Sequence, residues 1–309
     1  MNGERSIIPR AVLGILCLLL SWNAQAARNF NLYEWAAVAP VIVVGTSLGD
    51  NGRYHEITVE QTLRGRQDWV GQRFRVNLRD ANRDRDRDEH RYSVKLTRGE
   101  SYLLLLEPRE VKKVRALPTY DLARGVEGVR ELPAEGRTAL LGAVERFVEV
   151  QDLDDDRVVW HRLGLMLEET HPILVQTALD QFLKFRRGEL EHMESLRPLL
   201  DHPSHQLRER TARLIGQIVV REPDGEIPDA RLLRNELVAR ARRDGNVSVR
   251  MAATEALGGF EDDSVLEILE EIAERDPDQN VRYAAEKIAY ERMQRRRYKE
   301  TLSETQAPN

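Results

Sequence analysis

Gly45-Thr46-Ser47-Leu48-Gly49 has the G-x-S-x-G spacing with which hydrolases lift a nucleophilic serine out of a sharp strand-to-helix turn. That chemistry needs a helix directly after the serine. Here Asp50-Asn51-Gly52-Arg53 leads into another β-type run, and His55 is the histidine nearby in sequence. The expectation is a hairpin start, with an envelope hydrolase using Ser47 as the alternative. Asp84, Asp86 and Asp88 offer the one, three, five spacing of a calcium loop, but Glu89 stands where the loop needs glycine and Lys95 where it needs a bidentate glutamate. Interleaved arginines would repel a cation, so a solvated loop of alternating charge is expected. Calcium-assisted adhesion through these three aspartates is the weaker alternative. His202 and His205 flank Pro203-Ser204 in a turn, and His161 and His192 lie on helices without a zinc-protease frame. The sequence therefore assigns no catalytic, cofactor-binding or metal-ligating residue.

Arg5 and Arg10 precede an apolar run from Ala11 to Trp22, which ends at Ala24-Gln25-Ala26. This is the pattern of a cleaved secretory leader, residues 1–26, and its apolar run is shorter than the ~20 residues a membrane-spanning helix needs. A periplasmic or secreted protein, cleaved near Ala26, is expected. Cys17 lies within the leader, so residues 27–309 contain no cysteine and their stability must come from packing. Leaving out Glu4, Arg5 and Arg10 with the leader moves the formal net charge from −5 to about −6. An acidic balance disfavours nucleic acid as a partner. All but six of the remaining basic residues are arginine, which suits ion pairs.

The elements that would position these groups change character near residue 135. Before it, Val41-Ile42-Val43-Val44, Ile57 to Leu63, Phe74 to Leu78 and Ser101 to Leu106 read as short strands, introduced by one short helix. The leucines at 103–106 predict burial on both faces. After it, the apolar period becomes 3.6, beginning with Leu140, Leu141, Val144, Phe147 and Val148 on one helix. Four helix pairs follow. Their first helices run roughly 155–169, 189–200, 229–243 and 262–275; their second run 172–185, 204–219, 247–258 and 280–293. Asp201, Asp244, Asp262 and Asp276 are candidate caps, and Glu222 to Pro228 reads as an inserted loop.

Two resemblances accompany these patterns. Ala39 to Thr46, Thr58 to Gly65, Thr97 to Leu105 and Tyr120 to Gly125 resemble the netrin-like and metalloproteinase-inhibitor-like OB barrels. The inhibitors' N-terminal cysteine is missing, so inhibition is not implied. Val249-Arg250-Met251-Ala252-Ala253-Thr254-Glu255-Ala256-Leu257-Gly258 resembles the short HEAT repeats first associated with phycobilin lyases, and fainter copies start at Val281, Leu207 and Val175. Their second members, Gln176, Arg208, Arg250 and Arg282, are 32, 42 and 32 residues apart. The resemblance implies a structural ladder of turn aspartates and second-helix arginines: Asp244 with Arg250, Asp276 with Arg282, and Arg208 as a further rung. The reactive cysteine or polar pocket that lyase chemistry would want is not marked.

The expected architecture is α+β in two domains: residues 27–135 as a small OB-like β-barrel and 136–300 as an all-α HEAT-like solenoid, with 301–309 a disordered tail. The expected function is a non-enzymatic, exported interaction scaffold, without cofactor, that binds a protein or peptide through the solenoid. Arg295, Arg296 and Arg297 could meet an acidic surface, or serve as the polar cap a repeat array needs.

Overall fold

The computed structural model describes residues 32–50, 54–78, 94–110, 117–123, 125–132, 134–222 and 227–306, leaving aside the side chains of residues 126 and 299–306. The chain divides into two compact units, Met1–Glu135 and Gly136–Asn309.

The first unit opens with α1 (Leu32–Val38) and continues through β1 (Val41–Asp50), β2 (His55–Arg64), β3 (Arg73–Asn77), β4 (Ser101–Pro108), β5 (Thr119–Leu122) and β6 (Val129–Glu131). β1 pairs antiparallel with β2 and β4, β2 with β3, and β4 with β5, whereas β3 and β5 run parallel. These pairings lead from β1 through β2, β3, β5 and β4 back to β1. Five of the described strands thus close a barrel, and β6 takes the stretch of β4 that β5 leaves. Closure removes the unpaired edges that would invite aggregation. Alternation fills the interior with Val41, Val43, Ile57, Val59, Phe74, Val76, Leu104 and Leu106. Ile42, Val44, Leu103 and Leu105 on the alternate face are buried as well, as the unbroken apolar runs of β1 and β4 predict. Gly45 is small for a reason: a Cβ there would stand 2.9 Å from Ile57 Cδ1.

The second unit begins with α2 (Arg137–Gln151), which buries Leu140, Leu141, Val144, Phe147 and Val148. Helix pairs follow among the described residues. α3 (Asp156–Leu165) precedes α4 (Pro172–Phe185); the short α5 (Met193–Leu196) precedes α6 (His205–Val219); α7 (Ala230–Arg243) precedes α8 (Val247–Leu257); α9 (Ser264–Arg275) precedes α10 (Gln279–Gln306). The element expected as one helix over 189–200 is instead a 3₁₀ turn, α5 and a second 3₁₀ turn at Arg197–Asp201. Pro198 accounts for the break, since it lacks an N–H and crowds the preceding turn.

Caps also fall differently from expectation. Asn246 accepts the N–H groups of Ser248 and Val249, and Asp278 those of Asn280 and Val281. Asp244 and Asp276, two residues earlier in each turn, are released for other partners, and the Asp201 carboxylate meets Arg240. α10 is 28 residues long and continues past 293 into the segment expected to be disordered. Close stacking of successive second helices rests on glycine: a Cβ at Gly216 would lie 3.0 Å from Ala256 Cα, and one at Gly258 would lie 2.7 Å from Ile288 Cγ2.

Candidate binding surface on the repeat

Within the second helices the repeated arginine lies at the first turn, directly over the loop that joins the pair. All three arginines reach backward, and two of them, Arg208 and Arg250, also reach forward. Nη1 donates backward to carbonyls of its own turn: Arg208 to His202 at 2.8 Å and Pro203 at 3.0 Å, Arg250 to Asp244 at 3.0 Å, Arg282 to Asp276 at 2.7 Å and Pro277 at 3.2 Å. In Arg208 and Arg250 the Nε and Nη2 form a fork that reaches forward to the next repeat. Arg208 grips the Asp244 carboxylate with two bonds of 2.8 Å, and Arg250 grips Asp276 at 2.8 and 3.1 Å.

The within-repeat pairing expected for Asp244 with Arg250 and Asp276 with Arg282 therefore needs correction. Arginine meets only the backbone carbonyl of its own aspartate, while the carboxylate belongs to the arginine one repeat earlier. The reason lies in the turn. Each aspartate accepts the N–H two residues on, Asn246 to Asp244 at 3.0 Å and Asp278 to Asp276 at 2.8 Å, which turns the free oxygen edge toward the preceding repeat. The same stagger is written in the first two repeats, where His202 stands at the aspartate position and Gln176, one repeat earlier, at the arginine position. This paired exception could have revealed the register from sequence.

The rungs are sealed from water, with both the Arg250 and Asp276 side chains over nine-tenths buried. Burial raises the Asp244 carboxyl, but the bonds from Arg208 and the Asn246 N–H, with the charges of Arg208 and Arg240, hold it below its ordinary value. The Asp276 bonds raise the Arg250 guanidinium against the cost of burial. Other arginines tie the first helices together: Arg197 to Glu236, Arg234 to Asp262, Arg240 to Asp201 and Arg242 to Glu271. Loop carbonyls take Arg221, which reaches Arg186 and Gly188, and Arg292, which reaches Phe260 and Asp262. These arginines join neighbouring helices and turns of the array.

What remains open are the positions one and five residues after each ladder arginine. In the last three repeats these are Glu209 with Arg213, Met251 with Glu255, and Tyr283 with Lys287, all partly or fully exposed, Tyr283 to 67%. In the first repeat the matching Thr177 and Gln181 are buried. A spacing of four places each couple on one helix face. The face is chemically different in every repeat, whereas the frame beneath it recurs. The C-terminal part of α10 also lines a groove of about 870 Å³ together with Val219, Val220 and Leu266. Arg296, in that lining, is paired with Asp263, and Arg295 and Arg297 are exposed. The expected cationic surface at 295–297 is thus partly engaged within the fold.

Ser47 lies in the middle of β1, its hydroxyl 2.7 Å from His55 Nε2 across the hairpin. The pair has the right atoms for general-base activation but the wrong setting. Ser47 is 1% exposed and His55 7%, and the chain continues as strand on both sides. Burial, opposed by Asp50, lowers the His55 pKa. Asp84, Asp86 and Asp88 lie outside the described residues, as does the leader with Cys17. His202 Nδ1 accepts the Ser204 N–H, a local turn contact. Phe182 and Met166 are core residues, whereas Phe185 is 54% exposed where Arg186 takes a left-handed backbone.

Residues 193–289 match the family model for HEAT repeats. The described solenoid is accordingly HEAT-like over its last three pairs. Comparison with curated protein sequences returned no match. Among solved structures, a computationally designed armadillo repeat protein for modular peptide recognition is 14% identical, with TM-score 0.37 over 50% of this chain and 76% of that one. A designed armadillo repeat protein in complex with the peptide (KR)4 gives 14%, 0.37, 50% and 75%. The complex of CpcE and CpcF of phycocyanin lyase from Nostoc sp. PCC7120 gives 16% and 0.36 over 48% of this chain and 89% of that chain.

Proposed function

We propose that this chain is an exported, non-enzymatic interaction scaffold whose repeat binds a protein or peptide partner along the open face of α6, α8 and α10. One observation carries the reading: the ladder and its glycines repeat, while Glu209, Arg213, Met251, Glu255, Tyr283 and Lys287 differ from repeat to repeat on an exposed face. A surface that stays accessible and varies over a constant frame suits recognition of an irregular polypeptide. Export rests on the leader pattern of residues 1–26. The barrel is read as OB-like because its order, β1-β2-β3-β5-β4 with β3 and β5 parallel, supports the resemblance of its strand phrases.

Crosslinking in intact cells, followed by identification of the captured protein, tests export and binding together. The expected partner is an envelope protein whose capture is lost in the combined variant Arg213→Glu, Met251→Lys, Tyr283→Ala while the variant's melting temperature stays at the wild-type value. Capture that is indifferent to all three substitutions would sink the proposed face, and a chain found only in the cytoplasm would sink export.

A further inference from the structure

We propose that Arg282 is a receptor for a carboxylate of another polypeptide, so that the C-terminal end of the repeat takes a short segment bearing one acidic residue. Three observations carry it.

The first is the stagger. Arg208 and Arg250 each spend Nη1 on their own turn and the Nε–Nη2 fork on the next repeat's aspartate. Arg282 keeps the backward bonds to Asp276 and Pro277, but its Nε and Nη2 have no partner among the described residues. The molecule itself shows, twice, what fits such a fork: a carboxylate at 2.8–3.1 Å on both nitrogens.

The second is the pattern of loss. In the first repeat, where the forward position is His202 and offers no carboxylate, the arginine is replaced by Gln176. Arg282 is present although the described residues supply it with no forward carboxylate.

The third excludes another helix pair as the occupant. The position at which Gly216 and Gly258 admit the next second helix is Tyr290, 58% exposed, and the position of the fully buried Thr254 is the exposed Glu286. A tyrosine and a glutamate there keep a fifth pair from stacking at the same distance. The occupant is instead an extended or loop segment. Glu286 and Asp278 repel a run of acidic residues, so a single carboxylate is favoured. Arg282 and Tyr290 are ~12 Å apart along the helix, which an extended chain spans in about four residues. The ligand is thus a peptide with one Asp or Glu and, about four residues away, an apolar or aromatic side chain for Tyr290.

This inference rests on the scaffold reading for the ligand being a polypeptide. A random-peptide display selection on the immobilised full chain tests it. The selected peptides are expected to carry the single acid with its apolar neighbour, and to bind about tenfold more weakly to R282K, which keeps the charge but loses the fork. Replacing the peptide's own Asp by Asn should weaken binding as much, with no dependence on the folding of a variant. Peptides that lack an acid, peptides that bind R282K as tightly as wild type, or a selection that yields no binder would each overturn the proposal. Peptides that instead lose binding only with Arg213→Glu or Met251→Lys would overturn it while supporting the open face of the second helices.

Discussion

At the residue scale, the ladder explains why arginine rather than lysine recurs in these turns. In Arg208 and Arg250 three nitrogens of one planar group serve one or two carbonyls behind and one carboxylate ahead, a geometry an ammonium cannot reproduce. Removing the arginine leaves a buried carboxylate without its partner. Arg250→Ala is therefore expected to destabilise the protein by about 3–5 kcal/mol, read as a lowered urea midpoint, and by more than the same change at Arg282, whose fork is open. Equal losses at the two positions would show that only the backward carbonyl bonds matter. Recurrence singled out these residues and the resemblance to HEAT repeats implied a ladder, but which aspartate meets which arginine was not legible. Periodicity reports that two positions repeat together; it does not report which copy of one meets which copy of the other. Ser47 shows the converse. Its motif is plain in the sequence, yet its 1% exposure follows from the position of β1 inside a closed barrel, which no local spacing encodes.

At the element scale, helix stacking is governed by what is missing at Gly216 and Gly258. Gly258→Ala would place a methyl 2.7 Å from Ile288 Cγ2 and close to the Glu255 carbonyl, so the helix propensity gained is outweighed by overpacking. The expected loss is about 1–3 kcal/mol, with partial recovery in the double variant Gly258→Ala, Ile288→Leu, which removes the Cγ2 branch at the point of contact; full additivity in that double-mutant cycle would place the strain elsewhere. Helix existence was readable from the 3.6-residue apolar period, because burial of one face dictates it. Two boundaries were not. Pro198 breaks the first helix of the second pair despite an apolar pattern that continues through it, and α10 extends beyond its buried stripe on helix-forming residues that have no apolar period to announce them. β2 and β3 were visible in their alternation and β1 and β4 in their unbroken apolar runs, whereas the short β5 and β6 were not read as strands, and the parallel meeting of β3 and β5 joins segments distant in sequence and leaves no local trace.

At the scale of the whole molecule, acid should weaken the fold over two ranges with the same sign. Burial lowers the pKa of His55, His171 and His202, against the nearby carboxylates of Asp50 and Glu169 in the first two and with the help of Arg208 in the third. The unfolded chain then binds protons more readily than the folded one, so stability declines as pH falls through about 6.5 toward the lower folded values. Asp262, held at about 2 by the Ser264 hydroxyl and N–H and by Arg234, and Asp244, also depressed, stabilise the fold above about 3.9 and lose that contribution as pH falls through their folded values. Urea midpoints measured from pH 7.5 to 3 should decline throughout, and the double variant His171→Gln, His202→Asn should flatten the upper range; a midpoint unchanged between pH 7.5 and 5 would contradict the assignment. The forward reach of the ladder also gives the array a direction that its helices alone lack. Repeats peeled from the C-terminal end carry off a carboxylate and strand a cation, whereas peeling from the other end carries off the cation and strands a buried anion. The two ends should consequently yield at different forces when the molecule is pulled apart, and a repeat exchanged between such proteins, cut at the helix-pair boundary, would bring an arginine fitted to its old neighbour and an aspartate owed to another.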